Sequence, residues 1–194
     1  MTANNIILLN QDHEILKAVA EGDRKAFQQL YTLFSEKVYN TALSYAQNIH
    51  NAEEITQDVF TSIFNNAGKF KGNSAVGTWI YRIAVNTSLN HLKKKKRFSF
   101  LAFGETEKET PDFEHPGILL ENKEKAKMLF KVIETLPDSQ KTAFILSFVE
   151  ELPRQEVADI MEISLKAVES LLQRAKLNLR KKLEKQYPNR RKKK

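Results

Sequence analysis

The sequence predicts an all-α protein: two small helical domains joined by a flexible linker, the C-terminal one containing a helix-turn-helix. Three observations carry that prediction. The 194 residues include only six glycines and five prolines against 41% apolar residues, too few turn formers for a chain of many short strands. Apolar residues recur at spacings of three and four over long stretches. One segment, FSFLAFGETEKETPDFEHPG at 98–117, breaks the pattern with Gly, Pro, Thr and charge and follows neither the helical nor the strand period.

The first domain is read as residues 1–97. In residues 25–46 Phe27, Leu30, Tyr31, Phe34, Val38, Ala42 and Tyr45 form one stripe of a helix. A second helix is expected after Asn51 as N-cap, with Glu53 and Glu54 in its first turn, where carboxylates favour the positive end of the helix dipole. Ile55, Val59, Ile63 and Ala67 are its inner stripe. The turn KFKGNSAVG then leads into GTWIYRIAVNTSLNHLKKKKR, a helix that holds the only tryptophan and ends in five consecutive cations.

Residues 98–121 are expected to be the linker, a mobile tether whose Phe98, Phe100 and Phe103 are available for docking. Helical spacing returns at Ile118, and the second domain is placed at 122–187, with breaks at Leu136-Pro137-Asp138 and at Leu152-Pro153. PRQEVADIM reads as a short helix with Pro153 at its first position and Val157, Ala158 and Ile160 or Met161 inward. After Glu162-Ile163, Ser164 is an N-cap for a second helix carrying Val168, Leu171, Leu172, Ala175 and Leu179 on its inner stripe. Two helices joined by so short a turn form the helix-turn-helix pattern, whose second helix enters the DNA major groove. The outer face would offer Lys166, Glu169, Ser170, Gln173 and Arg174, groups suited to base edges. From Leu171 to Lys194 there are eleven Lys or Arg and one Glu, including the basic tail at 188–194, a density that suits phosphate contact. An αα-hairpin with a solvated basic face is the alternative reading of the same residues. Glu162 stands at a turn position where glycine is common, and a positive φ there would cost about 1 kcal/mol.

Net charge is +7, a bias toward polyanionic partners such as nucleic acid or an anionic membrane. No apolar run approaches the roughly 18 residues of a membrane span, and the N-terminal residues lack a signal-peptide pattern, so a cytoplasmic location is expected. With no cysteine, disulfides and thiol chemistry are excluded. The four histidines are scattered, and neither HExxH nor a phosphate-cradling glycine loop occurs. Neither catalysis nor a cofactor or metal is expected.

Two long motifs carry a more specific resemblance. NAEEITQDVFTSIF at 51–64, followed by KFKGNSAVGTWIYRIAVNTSLNHLKKKKR at 69–97, resembles the second conserved region of bacterial sigma factors of the extracytoplasmic-function (ECF) group. LPDSQKTAFILSFVEELPRQEVADIMEISLKAVESLLQRAK at 136–176 is similar to the fourth region of the same family, in the same order. The resemblance implies an alternative sigma factor of two domains, which binds core RNA polymerase, directs it to promoters through minus-ten and minus-thirty-five elements and helps open the DNA. An anti-sigma factor wedged between the domains is a further partner it implies.

Residue roles follow from the same resemblance. The core polymerase would be gripped by Glu53, Glu54, Gln57 and Asp58, a face that without the resemblance reads as solvated acid. The minus-ten element would fall to Phe70, Lys71, Gly72, Asn73, Ser74, Ala75, Trp79, Tyr81, Arg82 and Asn86, with Lys93 and Lys94 of the basic run on duplex phosphates. There a flipped base is held by stacking and edge hydrogen bonds, and a glycine-containing turn lets a nucleotide approach closely. Trp79 reads equally as core packing or base contact. Many relatives have an aromatic at the place of Val76, so some stacking surface is expected to be missing here. The minus-thirty-five element would be read by Glu169, Ser170, Gln173 and Arg174, with Arg154, Lys166 and Lys176 on phosphates. The rival reading is a stand-alone helix-turn-helix regulator that binds duplex DNA without polymerase.

Overall fold

A computed structural model describes residues 3–101 and 123–186, and every structured segment among them is helical. They fall in two compact units, each treated by itself below.

The first unit contains α1 (Ala3–Ala20), α2 (Arg24–Ala46), α3 (Ile49–Asn66), a 3-10 turn (Ala67–Lys69) and α4 (Val76–Leu101). Asp23 caps α2, its carboxylate accepting from the amides of Lys25 at 2.7 Å and Ala26 at 3.3 Å. The cap of α3 is Asn48, whose Oδ1 accepts from the Asn51 amide at 2.9 Å. Asn51 is thus the capped donor rather than the cap, and the helix begins two residues before it, at Ile49. The sequence offered two asparagines one turn apart, and the first has the extended backbone a cap needs, φ −151° and ψ 130°. The core gathers Leu16 and Val19 of α1, Leu30, Phe34, Val38, Ala42 and Tyr45 of α2, Ile55, Val59 and Ile63 of α3, and Val76, Ile80 and Ala84 of α4. Tyr31, from the expected α2 stripe, lies at its edge and is 42% exposed. Helix α4 continues to Leu101, four residues past the expected end of the first domain at 97. The apolar residues of FSFL conceal that continuation, since they end the run of cations in the sequence without ending the helix.

The second unit is α5 (Lys123–Glu134), α6 (Asp138–Phe148), α7 (Arg154–Met161) and α8 (Leu165–Gln186). Phe130, Val132, Ile133, Ile145, Leu146, Val157, Ala158, Val168, Leu172, Ala175 and Leu179 are buried, and Leu171 is half-buried. The later turns of α8 are tied back to α5 and α6: Asn178 Nδ2 donates to Gln140 Oε1 at 2.8 Å, and Lys182 Nζ donates to the Thr135 carbonyl at 2.9 Å. Pro153 takes the cap position, one residue before the expected one, with φ −55° and ψ 142°. The turn to α8 is a Schellman motif: the Ile163 amide donates to the Ala158 carbonyl at 3.1 Å, and the Glu162 amide to that of Asp159 at 3.4 Å. Glu162 has the positive φ, 55°, that the motif requires. Ser164 caps α8 as expected, its Oγ accepting from the Ala167 amide at 3.2 Å. Most of the linker, residues 102–121, and the tail at 188–194 lie outside the described residues.

Candidate functional site

Helix α3 puts alternate pairs of residues on opposite sides. Glu53, Glu54, Gln57 and Asp58 are exposed while Ile55 and Val59 are fully buried. Glu53 lies near the phenol of Tyr39, which burial first and then the Glu53 carboxylate push above its ordinary pKa. Beyond this acidic face stands an aromatic surface absent from the expected site. Phe27 meets Phe60 at 6.3 Å and Phe64 at 5.3 Å between ring centroids, both edge-on, and Tyr31 meets Phe60 at 4.6 Å. Phe64 is 44% exposed and lies seven residues, two turns, beyond Gln57, so it shares that face. The signal was present in the sequence: Phe64 falls outside the stripe of Ile55, Val59 and Ile63.

The loop between the 3-10 turn and α4 leaves Lys71, Gly72 and Asn73 exposed and Phe70, Ser74 and Ala75 half-buried. It is held from both sides by aromatic rings. Phe70 lies 5.4 Å from Trp79 and 5.0 Å from His13 between ring centroids. Gly72, with φ 72°, has His13 Nε2 3.1 Å from where a Cβ would stand. The space left by that missing side chain is therefore occupied by His13, a residue absent from the expected site. Trp79 is half-buried, one side on Phe70. Tyr81 is 9% exposed and Val76 is 1% exposed, so both belong to the core. The departure at Val76 accordingly concerns packing rather than an exposed stacking surface.

On α4, Trp79, Arg82, Asn86, Lys93 and Arg97 follow one another at spacings of three, four or seven, which places them on one face. Asn86, Lys93 and Lys94 are exposed, and Arg82 is half-buried.

In the second unit the outer face of α8 exposes Lys166, Glu169, Ser170, Gln173, Arg174 and Lys176. Arg174 folds back along its own helix, donating from Nε to the Ser170 carbonyl and from an Nη to Ser170 Oγ, both at 3.2 Å. Leu165 opens the helix 40% exposed, and such an apolar group suits a thymine methyl. Arg154 and Lys176, expected on phosphates, both reach the ring of Phe148. Among the described residues no cluster of His, Asp or Glu could hold a metal, and no helix is long and apolar enough to cross a membrane.

Residues 30–98 match the family described as Sigma-70 region 2, and residues 126–179 match Sigma-70, region 4. The ECF RNA polymerase sigma factor SigW of Bacillus subtilis is 30% identical over 176 residues, covering 87% of this chain and 94% of that protein. The chain belongs to the sigma-70 family, as an ECF sigma factor. Among its other relatives, the ECF RNA polymerase sigma-E factor of Escherichia coli K12 is 30% identical over 174 residues, covering 85% of this sigma factor and 90% of that one. The RNA polymerase sigma-H factor of Pseudomonas aeruginosa is 28% identical over 174 residues, with coverages of 86% and 90%. Two solved structures share the fold. CnrH, in complex with the cytosolic domain of CnrY, gives a TM-score of 0.64 at 18% identity and covers 89% of this chain and 97% of that one. RpoE of Bartonella quintana, in complex with the anti-sigma factor NepR, gives 0.65 at 20%, with coverages of 82% and 98%. The family membership disfavours the stand-alone regulator. The region 2 match begins within α2, so α1 and His13 lie outside it.

Proposed function

We propose that this sigma factor docks on core RNA polymerase in the cytoplasm through α3, opens promoter DNA with the loop at 70–75 and α4, and reads the minus-thirty-five duplex with α8. It acts by binding alone, without catalysis. The observation that supports this reading best is the single face of α4 that carries Trp79, Arg82, Asn86, Lys93 and Arg97 directly after a loop braced by aromatic rings.

Each part has a physical rationale. Docking suits α3, because Glu53, Gln57 and Asp58 form a polar rim beside the apolar rings of Phe64 and Tyr31, and interfaces of this kind draw most of their energy from buried aromatics within such a rim. Opening DNA requires that unstacked bases find new contacts. The loop backbone, Asn86 and the half-buried Trp79 offer edge hydrogen bonds and stacking at a cost of a few kcal/mol recovered by similar gains. Lys93 and Lys94 would hold the adjoining duplex by its phosphates. On α8, Arg174 and Gln173 match guanine and adenine edges, while Glu169 accepts from cytosine and repels phosphate. Arg154, Lys166 and Lys176 would fix the helix in register. CnrH is held in complex with the cytosolic domain of CnrY and RpoE with the anti-sigma factor NepR, and we extend to this chain an anti-sigma partner of its own.

The test is run-off transcription by core polymerase with this protein added. Promoter-specific transcripts are expected, and failure across candidate promoters, with tight duplex binding by the protein alone, would sink the reading.

A further inference from the structure

The second unit leaves a phenylalanine at its surface where three helices meet. Phe148, the last residue of α6, is 37% exposed. Arg154, the first residue of α7, brings its guanidinium carbon to 5.0 Å from the Phe148 ring centroid. Lys176, on α8, brings Nζ to 4.6 Å from the same centroid. The ring of Phe144, one helical turn earlier, lies tilted against it at 4.9 Å and 42°.

This arrangement draws two like charges to one small surface. Each cation is attracted by the negative face of the ring. The two charges repel each other, and an anion bridging them would turn that repulsion into attraction. A carboxylate in the place of Phe148 would hold the same two side chains but cancel their charge. The ring holds them while leaving the charge available. Long Lys and Arg side chains lose rotamer freedom when a ligand immobilises them, so side chains already gathered lose less on binding. The Arg fork and the Lys point charge are complementary donors to phosphate oxygens.

We propose that Phe148 is a positioning residue for DNA binding: its ring gathers Arg154 and Lys176 into a paired phosphate-binding site on the DNA backbone beside α8. This rests on the reading of α8 as the helix that docks on duplex promoter DNA. Phe148 itself makes no base contact. It sets the affinity through the two cations and leaves sequence preference untouched.

The experiment uses holoenzyme reconstituted from core polymerase and the full chain, with a fluorescent duplex promoter fragment titrated over a range of salt. Replacing both cations, Arg154→Gln with Lys176→Gln, should flatten the slope of log K against log salt by about 1.8, the value for two phosphate contacts. Phe148→Leu should weaken binding about five- to thirtyfold at low salt, as expected when two side chains no longer gathered must be ordered on binding. Phe148→Tyr, which keeps the ring face, should bind as the wild type does. On the double-Gln background, Phe148→Leu should have no further effect. An equal loss on both backgrounds, or failure of Tyr to rescue, would overturn the positioning role and leave Phe148 a packing residue. An unchanged salt slope in the double-Gln protein would overturn the paired phosphate site itself. Wild-type holoenzyme that fails to bind the promoter at all would instead count against the functional reading beneath it.

Discussion

His13 and Gly72 are in contact across two segments of the first unit: His13 Nε2 lies 3.1 Å from the point where a Gly72 Cβ would stand. The N-terminal helix thereby braces the loop assigned to the minus-ten element. Gly72→Ala meets two obstacles, the ring of His13 and a φ of 72°, which disfavours L side chains by about 1 kcal/mol or more. Gly72→Ala should therefore reduce promoter opening, read by permanganate reactivity of the minus-ten thymines, while core binding stays unchanged. His13→Ala combined with Gly72→Ala should recover part of the loss; no recovery would show that φ alone is responsible.

Asn86 stands exposed on α4, one turn beyond Arg82. Asn86→Ala should lower promoter opening about tenfold, the equivalent of about 1.4 kcal/mol for a lost edge contact. A core pull-down with the same variant should match wild type. Equal opening by the two proteins would remove Asn86 from the site.

For the α3 face, the exposed ring of Phe64 and the acids beside it test different terms. Phe64→Ala should weaken core binding by about 1–2 kcal/mol through loss of an apolar anchor. Glu53→Lys with Asp58→Lys should slow association, most strongly at low salt. Competition against a reference sigma factor reads both, and unchanged affinity in the two cases would return this face to solvent.

Glu151 follows α6 with φ 55°, in the left-handed region. Its side chain is exposed, so glycine there removes strain and forfeits no burial. Glu151→Gly should stabilise the second unit by about 0.5–1 kcal/mol, measured by urea denaturation followed by circular dichroism. A loss of stability would mean that the gain in unfolded-state freedom outweighs the strain.

Asp12 has its pKa raised, by burial first, with Lys37 opposing. A carboxyl with a raised folded pKa keeps its proton to higher pH in the native state than in the unfolded chain. Its stabilising contribution is therefore present below the ordinary carboxylate range and is lost as pH rises through the folded value. Asp12→Asn should stabilise the first unit at neutral pH, with the advantage shrinking as pH falls toward about 4. Trp79, the sole tryptophan, reports on that unit alone by fluorescence.

Much of the fold was legible because apolar side chains mark buried faces directly. The α2 stripe apart from Tyr31, the Ile55–Val59–Ile63 face and the Ser164 cap stand where the sequence puts them. The cap of α3 was misplaced because Asn48 and Asn51 have equal propensity, and only backbone geometry chooses between them. The end of α4 is hidden because the run FSFL departs from the polar pattern before it in the sequence, while helix formation depends on the backbone. Surface groups such as Glu53 and Asn86 are visible in sequence as polar positions between buried ones. Contacts between distant segments are not. His13 against Gly72, and Phe148 gathering Arg154 and Lys176, depend on how helices cross, which no local period encodes.

Helix α4 is one uninterrupted rod of 26 residues, about 39 Å long at 1.5 Å per residue. Asn86 and Lys94 are eight residues apart on it, a span of about 12 Å, close to the rise of three or four base pairs. In the proposed docking this span would act as a ruler, setting how far from a captured base the duplex resumes. An alanine inserted between them would lengthen that span by only about 1.5 Å but turn the cations through about 100° about the helix axis, away from the strand the proposal has them follow.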